Sequence, residues 1–322
     1  MELEQRAIHE RQRITSGDIH YHLDREAMHG VESYHGLDFR IAFRPGSLRF
    51  DGPWLGVNAQ GLPAVHHVCL FEGKSFIQFD DEVNSEGQSR RILIDDIKNL
   101  GFEAAAVFDP LTIGMHPGPP SPDIKLNEYL TRADRNNDET VTREQLGDRE
   151  VFHIRWTRKS GSKYQFWISP NEGYSVLKIV VDFHGNNYHI VDTNDISVKQ
   201  YGAGAAAVWY PEKVVSRRTL DDLPTPGQTF TITEAILNEP VDDQLFELAS
   251  MKPNPGQAID NRLAHHKFEI WDGEKIATVQ FSPATTAGKE GLSWGWLAVS
   301  IAAGVAGAVV FWRYYRGSRA RA

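Results

Sequence analysis

The first third of the chain alternates between apolar and polar positions. From Asp18, the residues Ile19, Tyr21 and Leu23 fall on one side of an extended run and His20, His22 and Asp24 on the other. That period of two is the mark of a half-buried strand. Residues 37–43 repeat it through Leu37, Phe39, Ile41 and Phe43 until Pro45-Gly46 stops the run. Short strands are predicted at residues 48–50, 66–71 and 75–79, parted by Asp51-Gly52-Pro53, Gly61-Leu62-Pro63 and the hairpin turn Glu72-Gly73-Lys74. From Gly147 a meander is predicted, with strands at 150–157, 163–168, 176–183, 188–190, 196–201, 207–220 and 229–237. Turn residues at 159–162, 170–173 and 184–187 connect them, and connections this short require antiparallel pairing. In residues 151–156 the alternation gives one wet face and one that meets a core.

Other stretches break this pattern. Residues 3–15 are rich in strong helix formers and end at Ser16-Gly17. Ile94, Ile97 and Leu100 are spaced for a helical turn or two within residues 92–101. Four prolines make residues 115–122 a loop, and residues 124–130 read as a short helix with Asp123 as its N-cap. Residues 251–256 hold too much proline for regular structure. One more hairpin is predicted from 266–271 and 275–279 around Asp272-Gly273-Glu274. Residues 282–293 read as a flexible linker. Residues 294–312 then carry no charge, with Trp294 and Trp296 at one end and Trp312 at the other. As a helix they would span about 28 Å, close to the hydrocarbon thickness of a bilayer.

The expected fold class is therefore α+β and mainly β. A curved antiparallel sheet with a few short helices fills residues 1–248, and an extension with a possible hairpin fills 249–281. The linker (282–293), one C-terminal transmembrane helix (294–312) and a basic tail (313–322) complete the plan.

Composition changes this picture in three ways. A formal net charge of −9, with four arginines and no acid after residue 293, leaves −13 on residues 1–293. A domain that acidic repels phosphate backbones, so nucleic acid is not an expected partner. Cys69 is the only cysteine, which excludes an internal disulfide and any cysteine-based metal motif; its apolar neighbours Val68, Leu70 and Phe71 make it a buried strand thiol. Arg313, Arg316, Arg319 and Arg321 follow the apolar span. By the positive-inside rule they keep the C-terminus cytoplasmic and the large domain outside. Within the span, Ala303/Gly307 and Gly304/Ala308 form small-residue ridges that admit helix–helix self-association, the alternative being simply a flexible Ala/Gly-rich span.

Candidate chemistry is sparse. His20, His22 and Asp24 share one strand face, with His29 and His35 nearby, a set of zinc or copper ligands or else a solvated polar face. Asp134, Asn136 and Asp138 match the first oxygen positions of a calcium loop, but Glu139 and Gln145 stand where its glycine and bidentate acid belong. The glycines of 202–207 precede a strand rather than a helix and read as a hairpin turn, not a nucleotide loop. Gly73-Lys74-Ser75 lacks the first glycine of a phosphate loop, and no nucleophile–base signature is present. Neither a catalytic residue nor a cofactor is therefore expected. Trp54, Trp156, Trp167, Trp209 and Trp271 are candidates to line a ligand concavity, or else are core.

Several motifs resemble the LolA/LolB/RseB superfamily of periplasmic lipoprotein carriers and lipid-sensing regulators. They are the helix running into residues 18–23, the Trp167-Ile168-Ser169-Pro170 corner with Gly173, the Trp209-Tyr210-Pro211 strand start, and the end of residues 238–248, similar to a closing strand. This resemblance implies an open half-barrel whose concave apolar face is plugged by helices and a loop. It also implies an envelope location and a signal peptide. Residues 1–13 lack the apolar run of such a signal, so a start upstream of Met1 is expected, the alternative being a tail anchor with a cytoplasmic domain. The function expected from these features is a membrane-anchored, non-enzymatic module that binds an acyl chain, lipoprotein or hydrophobic peptide. The alternatives are a structural or interaction protein with a filled core, and a metal-dependent enzyme built on His20, His22 and Asp24.

Overall fold

Helix α1 (Glu2–Gln12) opens the chain and hands over directly to a long antiparallel series. The strands are β1 (Gly17–Arg25), β2 (Tyr34–Arg44), β3 (Ser47–Pro53), β4 (His66–Glu72), β5 (Ser75–Asn84) and β6 (Gly87–Asp96). After them come β7 (Thr140–Leu146), β8 (Arg149–Thr157), β9 (Lys163–Ser169), β10 (Ser175–His184), β11 (His189–Tyr201) and β12 (Val208–Leu220). The two-residue β13 (Leu223–Pro224), β14 (Gln228–Leu237), β15 (Ala258–Asn261), β16 (Glu269–Trp271) and β17 (Ile276–Thr278) complete the set. This computed structural model describes residues 2–26, 34–53, 66–84, 87–96, 110–113, 136, 138–185, 188–264 and 269–279. Trp54, His29, Asp134, the helix expected at 124–130 and the apolar span 294–312 lie outside the described residues. With that span go Trp294, Trp296, Gly304, Gly307, Trp312, Arg313, Arg316, Arg319 and Arg321. Among the described residues no helix is long and apolar enough to cross a membrane.

The fold is mainly β. Neighbouring strands pair antiparallel in sequence order from β7 to β12, then through β14 to β1 and on from β1 to β6. β14 is the joint: it pairs with β12 on one side and β1 on the other, which fuses the two meanders into one open, curved sheet. β15 then adds to β6 in parallel, followed by β16 and β17. Tight turns set the register where the sequence offers them. The β4–β5 turn needs Gly73 in the left-handed region, at φ 59°. At Gly173, φ is 61° and an added Cβ would lie 2.8 Å from the Trp209 ring, so glycine is required twice over.

The faces follow the sequence alternation. Ile19, Tyr21 and Leu23 of β1 and Phe39, Ile41 and Phe43 of β2 are buried on the inner face. Ile154, Trp156, Tyr164, Phe166, Ile179 and Val181 continue it across β8–β10. A second, smaller cluster forms on the outer face of β4–β6, where Val68, Leu70, Phe79, Ile92 and Ile94 meet Leu248, Met251, Ile259 and Trp271. Arg49, on that outer face, binds Asp51 through Nε and Nη2 and donates from Nη1 to the Leu245 carbonyl at 2.7 Å, which ties down the segment after β14.

Three sequence expectations need correction. Residues 92–96 are strand and not helix: Ile92, Leu93 and Ile94 are all buried, and an apolar run covered on both faces carries no period of its own. The strands expected at 188–190 and 196–201 are one, β11, because Asp192 and Asn194 interrupt the apolar pattern without interrupting the ladder. Residues 238–248 do not form a closing strand. Asn238 sits at φ 60°, Pro240 has no donor, and Asp242 caps Gln244 at 2.9 Å to start a 3-10 turn over Asp243–Phe246.

Candidate functional site

The inner face carries the larger apolar cluster of the described residues. Its centre is a run of aromatic rings held by strand pairing. Trp156 and Tyr164 sit directly opposite one another on β8 and β9 and stack at 4.2 Å, with planes 1° apart. Phe166 follows at 6.4 Å from Trp156, and Phe183 meets Tyr164 edge-on at 5.9 Å. Across the joint, Tyr21 stacks on Phe39 at 5.0 Å, and Phe39 packs on Phe50. Burial pushes the Tyr21 hydroxyl far above its ordinary value, and the nearby Tyr210 adds to this, so the group stays neutral.

One end of this face lies under α1. The helix packs on β10 and β12, and the Arg11 guanidinium lies over the Tyr210 ring at 4.8 Å. Tyr210 donates to the Pro110 carbonyl at 2.6 Å, which brings the 3-10 turn Pro110–Thr112 onto the same region. The inward stripe of α1 is Glu4, Ala7, Ile8 and Arg11, spaced i, i+3, i+4, i+7; all four are buried. Half of that stripe is ionisable. The C-terminal end of the helix is pinned: Arg13 donates to the Ala205 carbonyl, the Thr15 amide to Asn238 Oδ1, and Ser16 to the Glu239 carbonyl. Nearer its start, Arg6 donates to the Tyr174 hydroxyl at 2.6 Å from an exposed position.

The other end of the inner face is polar. Val181 pairs with Asp192 and Ile179 with Asn194, so both polar side chains point inward, and both are buried. Arg218 clamps Asp192 through two hydrogen bonds of 2.6 and 2.9 Å. That contact holds the guanidinium pKa above its ordinary value.

Of the tryptophans expected to share one concavity, the described ones (Trp156, Trp167, Trp209 and Trp271) do not point to one face. Trp156 is on the inner face. Trp167 is the next residue after Phe166 and faces outward, stacked on His153 at 4.1 Å with its indole N–H donating to Glu144. Burial pushes the Glu144 carboxyl up, but hydrogen bonds from Trp167 and His153 outweigh it and leave the pKa below the ordinary value. Trp209, half-buried, packs over Gly173 at the β9–β10 turn, and Trp271 belongs to the outer cluster. Tyr21, Phe39, Phe50, Tyr164 and Tyr210 hold the positions that residue type alone assigned to tryptophan. The signal that finds them is strand phase: each sits on the buried side of an alternating run.

The candidate metal face of β1 is a solvated one. His22 pairs with Asp38, His20 Nε2 is 3.5 Å from Asp18, and Asp24 accepts from the Gly36 amide, so the three side chains are turned to different partners. Asn136 and Asp138 bond backbone groups at Arg158 and Thr157, which makes them a strap on the β8–β9 region. Cys69 is buried, as expected, with Sγ 2.9 Å from His67 Nε2. One cluster was not anticipated. Asp182, His184 and His189 converge on the outer face at the β10–β11 hairpin, with one ligand atom from each lying within 4.8 Å of the others.

No known protein-family model and no curated protein matches this sequence. Solved structures similar to it include a domain assigned to outer membrane lipoprotein sorting from Vibrio parahaemolyticus, at 9% identity and a TM-score of 0.44 over 78% of this chain and 98% of that one. A LolA superfamily protein from Nitrosomonas europaea is similar at 9% identity and a TM-score of 0.40, covering 77% and 97%. A DUF1329 family protein from Desulfovibrio piger stands at 10% and 0.40, covering 77% and 97%.

Proposed function

We propose that this chain is a non-enzymatic binding module of the cell envelope that takes an acyl chain, lipoprotein or hydrophobic peptide onto the inner face of its curved sheet. On this reading, residues 294–312 tether it to the membrane. The observation that carries the proposal is the composition of the cover. Of the four inward positions of α1, only Ala7 and Ile8 are apolar; at about 0.8 kcal/mol per buried carbon their five side-chain carbons are worth roughly 4 kcal/mol, to which Leu3 adds from a partly buried position. An 11-residue helix has little stability of its own to add. An acyl chain brought from water gains about 0.8 kcal/mol per buried CH₂, so a chain well beyond roughly five carbons outweighs the apolar contacts of the helix it displaces, and a long acyl chain also offsets the Arg11–Tyr210 contact. The pinned C-terminal end gives α1 a point on which to swing.

The test is purification of the full chain without detergent, followed by mass spectrometry of extracted lipid and titration with a fluorescent fatty acid. The proposal expects a co-purified lipid or saturable uptake. A chain that is empty and takes up nothing sinks it. The second reading, an interaction protein with a filled core, draws on the near-complete burial of Trp156, Tyr164, Phe166 and Tyr210, each at most 2% exposed. That empty result is what this second reading expects.

A further inference from the structure

We propose that Asp182, His184 and His189 form a binding site for one borderline transition-metal dication of the zinc class, on the outer face of the sheet and separate from the inner face. Strand pairing builds the site. His184 and His189 are directly opposite one another across the β10–β11 hairpin, and Asp182 lies two residues before His184 on the same face. The two imidazoles stack at 4.4 Å with planes 8° apart, and each presents Nε2 to the same oxygen, Asp182 Oδ1, at 2.9 Å.

Two neutral imidazole nitrogens and a carboxylate oxygen are the donor set of zinc-class sites, with three protein ligands and a position left for water. Tetrahedral bonds of about 2.0–2.1 Å place donor atoms about 3.3–3.4 Å apart. The two 2.9 Å contacts must therefore open by about half an ångström, and the two imidazole donors, which with Asp182 lie within 4.8 Å of one another, must settle at the same spacing. His184 is about half exposed while Asp182 and His189 are less so, which leaves an entry path from solvent.

The surroundings orient the ligands. The other ring nitrogen of His189, Nδ1, lies 3.7 Å from Asp222 Oδ1, longer than a hydrogen bond, so an exposed carboxylate stands behind this imidazole without yet holding it. The His189 backbone is held on both sides, its amide donating to Asp221 Oδ1 at 2.8 Å and its carbonyl accepting from the Asp221 amide at 2.7 Å. Gly185 donates to the Tyr188 carbonyl at 2.9 Å and so closes the hairpin between the two histidines. Lys163 Nζ lies 3.8 Å from the second Asp182 oxygen, on a long exposed side chain that can swing away when a cation enters. A bound ion would clip β10 to β11 at the end of the sheet where Asp192 and Arg218 sit.

The experiment uses the untagged full chain in nanodiscs, stripped with a chelator and titrated with Zn²⁺ against a fluorescent chelator. One equivalent is expected to bind, and Zn²⁺ is expected to raise Tm. His184→Ala, His189→Ala and Asp182→Ala should each weaken binding at least tenfold and abolish the Tm rise, while His20→Ala and His22→Ala leave both unchanged. His184→Gln, which keeps a polar side chain of similar length, repeats the test should the alanine variant unfold. Ca²⁺ and Mg²⁺, which prefer all-oxygen sites, should not compete. The proposal is overturned if less than one equivalent binds, or if the His184 and His189 variants bind as tightly as the parent. Because the site lies on the outer face, either result is independent of acyl-chain uptake.

Discussion

Replacing Ile8 by alanine removes three carbons from the inward side of α1 without touching the sheet. Ile8 is 4% exposed and, with Ala7, supplies the apolar half of the helix's inward stripe. Buried Ile→Ala changes cost about 2–5 kcal/mol, and a helix at the edge of a core can partly collapse onto the gap, so about 2 kcal/mol applies here. If the lid must open for a ligand to enter, the apparent dissociation constant is the intrinsic one divided by the open fraction. Lowering the stability of the closed lid by about 2 kcal/mol raises a small open fraction about 30-fold. Ile8→Ala should therefore bind a fluorescent fatty acid up to about 30-fold more tightly, until the open form predominates. Amide exchange in α1 should speed up by a similar factor while the β8–β11 amides keep their protection. A variant that melts lower but binds no more tightly, or more weakly, would refute the lid: Ile8 would then be ordinary core.

Further outcomes follow from the packing. Gly52→Ala would put a Cβ 2.1 Å from Phe39 Cδ1, against a ring stacked on Tyr21, so a loss of about 1–3 kcal/mol is expected in urea unfolding; an unchanged midpoint would contradict the β2–β3 register. Arg218→Ala strands the Asp192 carboxylate, which is 2% exposed, and should cost about 2–3 kcal/mol, below the 3–5 of a fully buried pair because the arginine is 42% exposed. A Tm equal to the parent's would show that Asp192 does not depend on it. The Glu144 carboxyl has a folded-state pKa below its unfolded value, so its contribution is full above the unfolded value, about 4.3, and is lost as pH falls through the folded one. The Tm gap between parent and Glu144→Gln should accordingly be widest near neutral pH and shrink as pH falls below the unfolded value; a gap that grows on acidification would reverse the assigned sign.

Most strands were legible because one face of each is wet. β1 alternates cleanly, and the turns after β2, β8 and β9 carry Gly46, Gly161 and Gly173 in left-handed geometry. Legibility failed where a strand is covered twice or carries buried polar residues. Ile92–Ile94 lies between the sheet's two sides with β15 alongside, and only the distant segment around Ile259 and Trp271 explains why it is extended. Asp192 is acceptable inside only because Arg218, 26 residues away, reaches it. The site was harder to read than the fold. Ranking aromatics by size selected Trp167, which strand phase turns outward, and passed over Tyr21 and Phe39, which phase turns in. The Asp182–His184–His189 cluster was visible as a D-x-H-x₄-H spacing, but it becomes a constellation only once the hairpin register sets His184 opposite His189.

The central claim is that an acyl chain lies against the rings of the inner face, and Trp156 reports on that position. It is 2% exposed at the centre of the face, whereas Trp167 and Trp271 are on the outer side. A fatty acid brominated along its chain quenches tryptophan only on contact, so titrating it into the full chain with Trp54, Trp209, Trp294, Trp296 and Trp312 replaced by Phe reads out occupancy there. The account predicts saturable quenching that a non-brominated fatty acid reverses and that is lost in Trp156→Phe. Quenching that never saturates, or that persists unchanged in Trp156→Phe, would contradict it.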